Sequence, residues 1–326
     1  MPFEIKDLVG LSKPLTKLIE NVSKGLGITY RPRAIRQEAD ARAYEIKTVA
    51  RAQAEAKVQA RGIELAAVTD MVQVALVNQP ELANRVTQRI LHREIENQCN
   101  LESVIDHAAE ALPPVVSEEP LDADWRKKFF LEAENICDAD MQQLWGKVLA
   151  GEITKPGSFS LRALDTLKHL SHEEAEVFRK ACAIAMNGGW IVLPEDSINT
   201  SLVPFGLSYG DILKLRDAGL VVEGDDLHRE FKGLVQQGTP IRANLALVNN
   251  GVQILVTPAP NSNLQLPVIP FTGAGQQLMR LIDAHETAEY LVALGTELRR
   301  RGCVAKRGTP LQIDATSSVT TFEQDL

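Results

Sequence analysis

Aromatic residues are scarce, only 5% of the 326 residues. Strand-rich cores draw heavily on aromatic and β-branched side chains, so this scarcity, set beside abundant alanine, points to helices. Cysteine is rare as well. Cys99, Cys137, Cys182 and Cys303 form no C-x-x-C pair, and read as reduced thiols of a cytosolic protein. The six histidines are scattered; His169 and His172 are three apart but have no ligand-type partner at metal spacing, so neither a metal nor a cofactor is expected. No stretch approaches eighteen apolar residues without charge, which excludes a helix that spans a membrane by itself. The opening MPFEIKDLVGLSKPLTKLI lacks a basic segment followed by an apolar core, so a cytoplasmic protein is expected. Positive charge is also short. At a net charge of −8, a protein coating nucleic acid along its whole surface is excluded, and any such contact must be local.

What is present is helical periodicity. In residues 1–30, Leu8, Leu11, Leu15, Leu18, Ile19 and Val22 recur at three- and four-residue steps, interleaved with Lys13, Lys17 and Lys24. Such a basic amphipathic helix suits a core, a neighbouring subunit or an anionic membrane surface, and residues 5–30 are the candidate for peripheral membrane contact. Beyond Tyr30 an Ala-rich, charged stretch carries a seam of Ala39, Ala43, Ile46, Ala50, Ala54 and Val58, close to a heptad. Arg31, Arg33, Arg36, Arg42, Arg51 and Arg61 make it locally basic. It reads either as a solvated projecting helix or as a self-association arm. Pro80 interrupts the pattern, a helical stretch with a break at Asn97 or Asn100 follows, and Leu112-Pro113-Pro114 ends it. The arm therefore covers 1–112, with a Pro- and acid-rich linker at 113–123.

Residues 124–187 are expected to form a central helical domain. Asp122 or Asp124, Asp138, Ser158 or Ser160, and Ser171 with Glu174 stand where helix caps belong. Its densest stretch is MQQLWGKVLAGEITKPGSFSLRALDTL, at 141–167. A hydrolase would need a nucleophile beside a base, or two carboxylates with distinct roles. Glu152 stands alone there, and Ser158 and Ser160 occupy capping positions. Trp125, Gln143, Trp145, Glu152, Ser160 and Arg162 are therefore assigned to structure. Arg162 keeps two other options, clamping a carboxylate or phosphate, or pairing with Glu152.

From 188 to 303 the composition shifts to glycine and β-branched residues. The run LSYGDILKLRDAGLV followed by NLALVNNGVQILVTP gives the helix–strand–hairpin order of a winged helix, with a recognition helix over 208–217 and a wing over 243–256. Tyr209, Lys214 and Arg216 are the candidate partner-binding residues of that helix. Its acids Asp211 and Asp217, and a wing without Lys or Arg, favour a protein over DNA as partner. Thr272-Gly273-Ala274-Gly275 precedes a helix but lacks the lysine of a phosphate loop, so Thr272 reads as a cap. Residues 304–326 are expected to be a flexible tail.

Asp124-Trp125, Phe129-Phe130, Met141-Gln142-Gln143-Leu144-Trp145, Leu149-Ala150-Gly151-Glu152, Pro156-Gly157-Ser158-Phe159-Ser160 and Arg162 together resemble an uncharacterised bacterial domain-of-unknown-function family, of the family 2806 type. The resemblance runs from about residue 10 to 300 and includes a final helix with Thr272, Gly275 and Leu278. It implies no activity and no catalytic residue. The Ala-rich basic N-terminal region is also loosely similar to proteins of abortive infection and phage defence, which implies a setting.

The fold class expected is thus mainly α with an α+β C-terminal part. The function expected is non-catalytic: a cytosolic, homo-oligomeric interaction or scaffold protein with a winged-helix-like protein-binding module. The alternatives are local nucleic-acid binding by the basic arm and winged helix, and a membrane-surface defence effector.

Overall fold

A computed structural model describes residues 12–27, 30, 80–231, 234–236, 239–241, 245–259, 263–285, 287–312 and 318–325. The Ala-rich stretch with its seam, and with Arg31, Arg33, Arg36, Arg42, Arg51 and Arg61, lies outside them. The chain divides into two compact units, Met1–Ser158 and Phe159–Leu326.

The described part of the first unit is helical. Helix α1 (Lys13–Leu26) has proline in its first turn, where a missing N–H costs no hydrogen bond, and stops at Gly27 with φ of 67°. Leu18, Ile19 and Val22 are buried, so the periodic apolar face is the core face. Helix α2 (Pro80–Ala111) opens on Pro80 and runs for 32 residues. The break expected at Asn97 or Asn100 does not occur. The Asn100 side chain instead donates to the Glu134 carbonyl at 3.0 Å and accepts from Gln142 Nε2 at 3.1 Å, which leaves it no role as a cap. Helices α3 (Ala123–Ala133) and α4 (Ala139–Thr154) start at the expected caps, Asp122 accepting from Trp125 N and Asp138 from Met141 N. The expected linker is held down, with Leu121 buried and Ser117 N donating to the Thr154 carbonyl at 3.1 Å.

Aromatic packing joins these helices. Phe129 stacks on Trp125 at 5.1 Å between centroids, meets Phe130 edge-on at 5.3 Å and lies 5.2 Å from Trp145. Next to Trp145, Gly146 lets α4 approach α2 closely. A Cβ there would stand 2.5 Å from His107 Cβ and 2.9 Å from Ala108 N.

The second unit begins with α5 (Leu161–His169) and α6 (His172–Ala183), capped by Ser160 and by the Ser171–Glu174 capping box. The expected central domain is thus divided, with α3 and α4 in the first unit and α5 and α6 in the second. Next come strands β1 (Ala185–Met186) and β2 (Trp190–Val192) and helix α7 (Tyr209–Asp217). Strands β3 (His228–Phe231), β4 (Leu234–Gln236), β5 (Thr239–Ile241), β6 (Leu245–Asn249), β7 (Val252–Thr257) and β8 (Leu264–Pro270) follow. The chain continues with α8 (Gly273–Met279), α9 (Ala288–Arg300), β9 (Val304–Gln312) and β10 (Ser318–Asp325). Three antiparallel sheets result, ordered β1-β2-β8-β3, β10-β9-β7-β6 and β4-β5. Among the described residues the architecture is mainly α with an α+β C-terminal part.

The expected hairpin is β6–β7, turning on Asn250 and Gly251 with φ of 42° and 90°, the paired positive angles of a tight hairpin turn. The strand expected after α7 shrinks to one bridge, Val221 to Phe271. The residues expected as a flexible tail form β9 and β10 instead. Strand β9 covers the edge of β7, pairing Val256 with Ala305 and Ile254 with Arg307. Gly308 and Pro310 interrupt the alternation of β9, which hides the strand in the sequence. The hairpin is thus one side of a four-stranded sheet, with β7 inside and β6 at the edge.

Two predictions follow from this packing. Gly146→Ala, and Gly275→Ala whose Cβ would meet the Leu220 carbonyl oxygen at 2.1 Å, each destabilise the protein by about 1–3 kcal/mol, read from urea unfolding. Cys182 is buried and its thiol is pushed up to about 12, and burial also raises Cys303. At pH 8 the Cys182 thiolate fraction is on the order of one in ten thousand. Intact-mass analysis after iodoacetamide should therefore show Cys99 and Cys137 modified in the native protein, with Cys182 and Cys303 reacting only after unfolding.

Candidate functional site

The residues singled out around the tryptophans are distributed between the two units. Trp125 and Trp145 are buried core, and neither indole N–H has a hydrogen-bond partner among the described residues. Gln143 is exposed, so its structural assignment is corrected in favour of its neighbour. Gln142 is the buried glutamine, donating to Asn100 Oδ1 at 3.1 Å and to the Ile136 carbonyl at 2.7 Å. Its signal was its spacing: Gln142 is three residues before Trp145 and shares its face, whereas Gln143 is two before and points away. Glu152 is buried, and its Oε1 accepts from Gly157 N at 2.6 Å, which ties the Pro-Gly turn to the end of α4. Ser160 caps α5, and both its N–H and its hydroxyl donate to Gln277 Oε1, at 2.8 and 2.9 Å. Of the six, Arg162 lines a cleft. It is exposed on the rim of a cleft of about 320 Å³ beside α5.

The candidate recognition helix is occupied within the chain. Arg216 donates to Asp225 Oδ1 and to the Gly224 carbonyl, both at 2.7 Å, and its side chain is 9% exposed. Tyr209 donates to the other oxygen of Asp225 at 3.1 Å. Lys214 Nζ lies 2.5 Å from Glu173 Oε1 and 3.6 Å from Asp211 Oδ1. The hydrogen bonds from Arg216 and Tyr209 hold the Asp225 carboxyl below its ordinary range. These contacts fasten the loop after α7 to the helix. The hairpin tip is fastened too: Asn249 Nδ2 donates to the Ala183 and Ala185 carbonyls, both at 3.0 Å, and Asn250 Nδ2 to that of Ala183 at 2.9 Å.

The Thr-Gly-Ala-Gly segment is also closed. Thr272 caps α8 by accepting from Gly275 N at 3.0 Å and donates to the Gly219 carbonyl at 2.6 Å. Its second glycine exists because the helix backbone lies against Leu220.

Two features are open. The first is the N-terminal half of α2, where Leu82, Ile90, Leu91 and Ile95 are 39–60% exposed. Arg85 and Arg89 on this half are also exposed and have no ion pair among the described residues. The second is the cleft with Arg162. The exposure of these apolar residues of α2 was invisible to sequence reasoning because periodicity marks apolar residues without saying which half of a helix its own unit covers. The cleft was invisible because its walls join α5 and the start of α6 to the end of α7, which lies far along the chain.

No curated protein and no solved structure matches the chain. Among the described residues, no helix is long and apolar enough to cross a membrane. Over residues 84–190, the segment that holds most of α2, the aromatic cluster and the Pro-Gly turn, the chain matches the model of the family described as Protein of unknown function (DUF2806).

Proposed function

We propose that the protein is a non-catalytic, self-associating interaction protein, and that the N-terminal half of α2 is the surface on which a second copy docks. The observation that carries this reading is the exposed set Leu82, Ile90, Leu91 and Ile95 on a half-helix about 25 Å long. Fully burying such side chains stabilises an association by about 1.5–3 kcal/mol each. The charge pattern names the occupant. Arg85 and Arg89 precede Glu94 and Glu96, so an antiparallel pairing about Ile90 brings the basic end of one copy level with the acidic end of the other. A two-fold arrangement of this kind is self-complementary.

The other readings have less support. Arg216 is bound to Asp225 and Lys214 to Glu173, which leaves α7 little free positive charge for nucleic acid. The same ties and the closed hairpin tip weaken the use of α7 and β6–β7 as a winged-helix-like protein-binding module. The membrane-surface reading loses its apolar face, because Leu18, Ile19 and Val22 point into the core of the first unit. Phage defence remains a setting without residues to carry it.

Multi-angle light scattering tests the proposal. The full chain is expected to exceed its monomer mass of 35.8 kDa, and the double variant Ile90→Glu, Ile95→Glu to return to it with unchanged circular dichroism. A wild-type chain that stays monomeric at its highest soluble concentration would overturn the reading.

A further inference from the structure

The cleft on the second unit draws Arg162, Thr166, His169 and Asp165, which is engaged in an interaction of its own, from α5, Leu170 from the turn after it, and Asp217 and Ala218 from the end of α7. Two of these charges sit against the helices that carry them. Arg162 is the second residue of α5, where the partial positive charge of a helix start disfavours a cation. Asp217 is the last residue of α7, where the partial negative charge of a helix end disfavours an acid. Neither has a hydrogen-bond or ion-pair partner among the described residues, although the unit elsewhere pairs its charges freely, as at Arg216–Asp225 and Glu297–Arg301. Both side chains are exposed at the cleft, where a ligand could reach them. Glu174, also in the lining, is not available in the same way, because its Oε2 accepts from both the backbone and the hydroxyl of Ser171.

We propose that this cleft binds a small zwitterion with an aliphatic body, an amino acid of the arginine or lysine type, its carboxylate on Arg162 and its side-chain cation on Asp217. The opposite signs of the two unpaired groups select a molecule with both charges. Leu170 and Ala218 provide an apolar surface for the methylenes between them. The volume of about 320 Å³ is at the lower end of the range for small-molecule sites, which suits a metabolite of amino-acid size. Arginine's guanidinium forks suit planar carboxylates, the clamp that Arg162 is built to form. The site is independent of α2, so it stands or falls apart from self-association.

Isothermal titration of the full chain with L-arginine, agmatine and citrulline tests the assignment. Agmatine lacks the carboxylate and citrulline lacks the cation. L-arginine is expected to bind at millimolar or better affinity and at least tenfold more tightly than either analogue. Arg162→Ala is expected to erase the preference over agmatine, and Asp217→Asn the preference over citrulline. Because each variant removes a charge opposed to its helix, the melting temperature of both is expected to hold or rise. No heat with L-arginine, equal binding of all three compounds, preferences unchanged in the variants, or a lowered melting temperature would each overturn the proposal.

Discussion

The close approach of α4 to α2 at Gly146 is the contact on which the first unit depends. With no side chain at this position, the α4 backbone comes within contact of His107 and Ala108, and the neighbouring Trp145 is carried wholly into the core. Phe129 then meets Trp145 and stacks on Trp125, so α3 and α4 share one aromatic group. The arrangement leaves two buried indole N–H groups without partners among the described residues. Each such group costs about 1–3 kcal/mol. A buried tryptophan removes about 150–250 Å² from water, worth about 4–6 kcal/mol at 25 cal/mol per Å². Packing outweighs the unmet hydrogen bonds, which is why the tryptophans remain in a core that offers them no acceptor.

The second unit is closed by polar groups that reach backbone. Tyr290 is fully buried, donating to the Val192 carbonyl at 2.8 Å and accepting from Val192 N at 3.1 Å, which joins α9 to the inner strand β2. Burial raises its hydroxyl above the ordinary tyrosine range, so it remains a donor at any physiological pH. Asn249 and Asn250 hold the β6–β7 turn to the end of α6. Glu297 is engaged by Arg300 and Arg301, whose hydrogen bonds lower its carboxyl against the opposing effect of burial. The polar residues of the helix and hairpin that a winged helix would turn toward a partner are thus spent on internal closure. Among the described residues, the apolar side chains on the N-terminal half of α2 and the cleft beside α5 are left open to solvent.

Much of the local structure was legible because its causes are local. A cap needs only an acceptor and an N–H three residues on, so Asp122, Asp138, Ser160, Ser171, Ser208 and Thr272 could be read as helix starts from the chain itself. The β6–β7 hairpin was readable for the same reason, since Asn-Asn-Gly sits between two alternating apolar runs. Asn100 misled because a capping residue and a tertiary clasp have the same side chain, and only the distant Glu134 and Gln142 select the clasp.

The sequence by itself determined the helical class, the helix starts, the hairpin and the burial of Trp125 and Trp145, all of which arise from interactions spanning a few residues or from sheer buried area. Tertiary structure alone decided that β9 closes the edge of β7, that Arg216 is spent on Asp225, that half of α2 is left uncovered, and that Arg162 and Asp217 face one cleft. These depend on which distant backbone supplies a pairing edge and which helices converge. Chain periodicity does not encode such choices, because the same side chain serves equally well as a core contact, an internal clasp or an open surface.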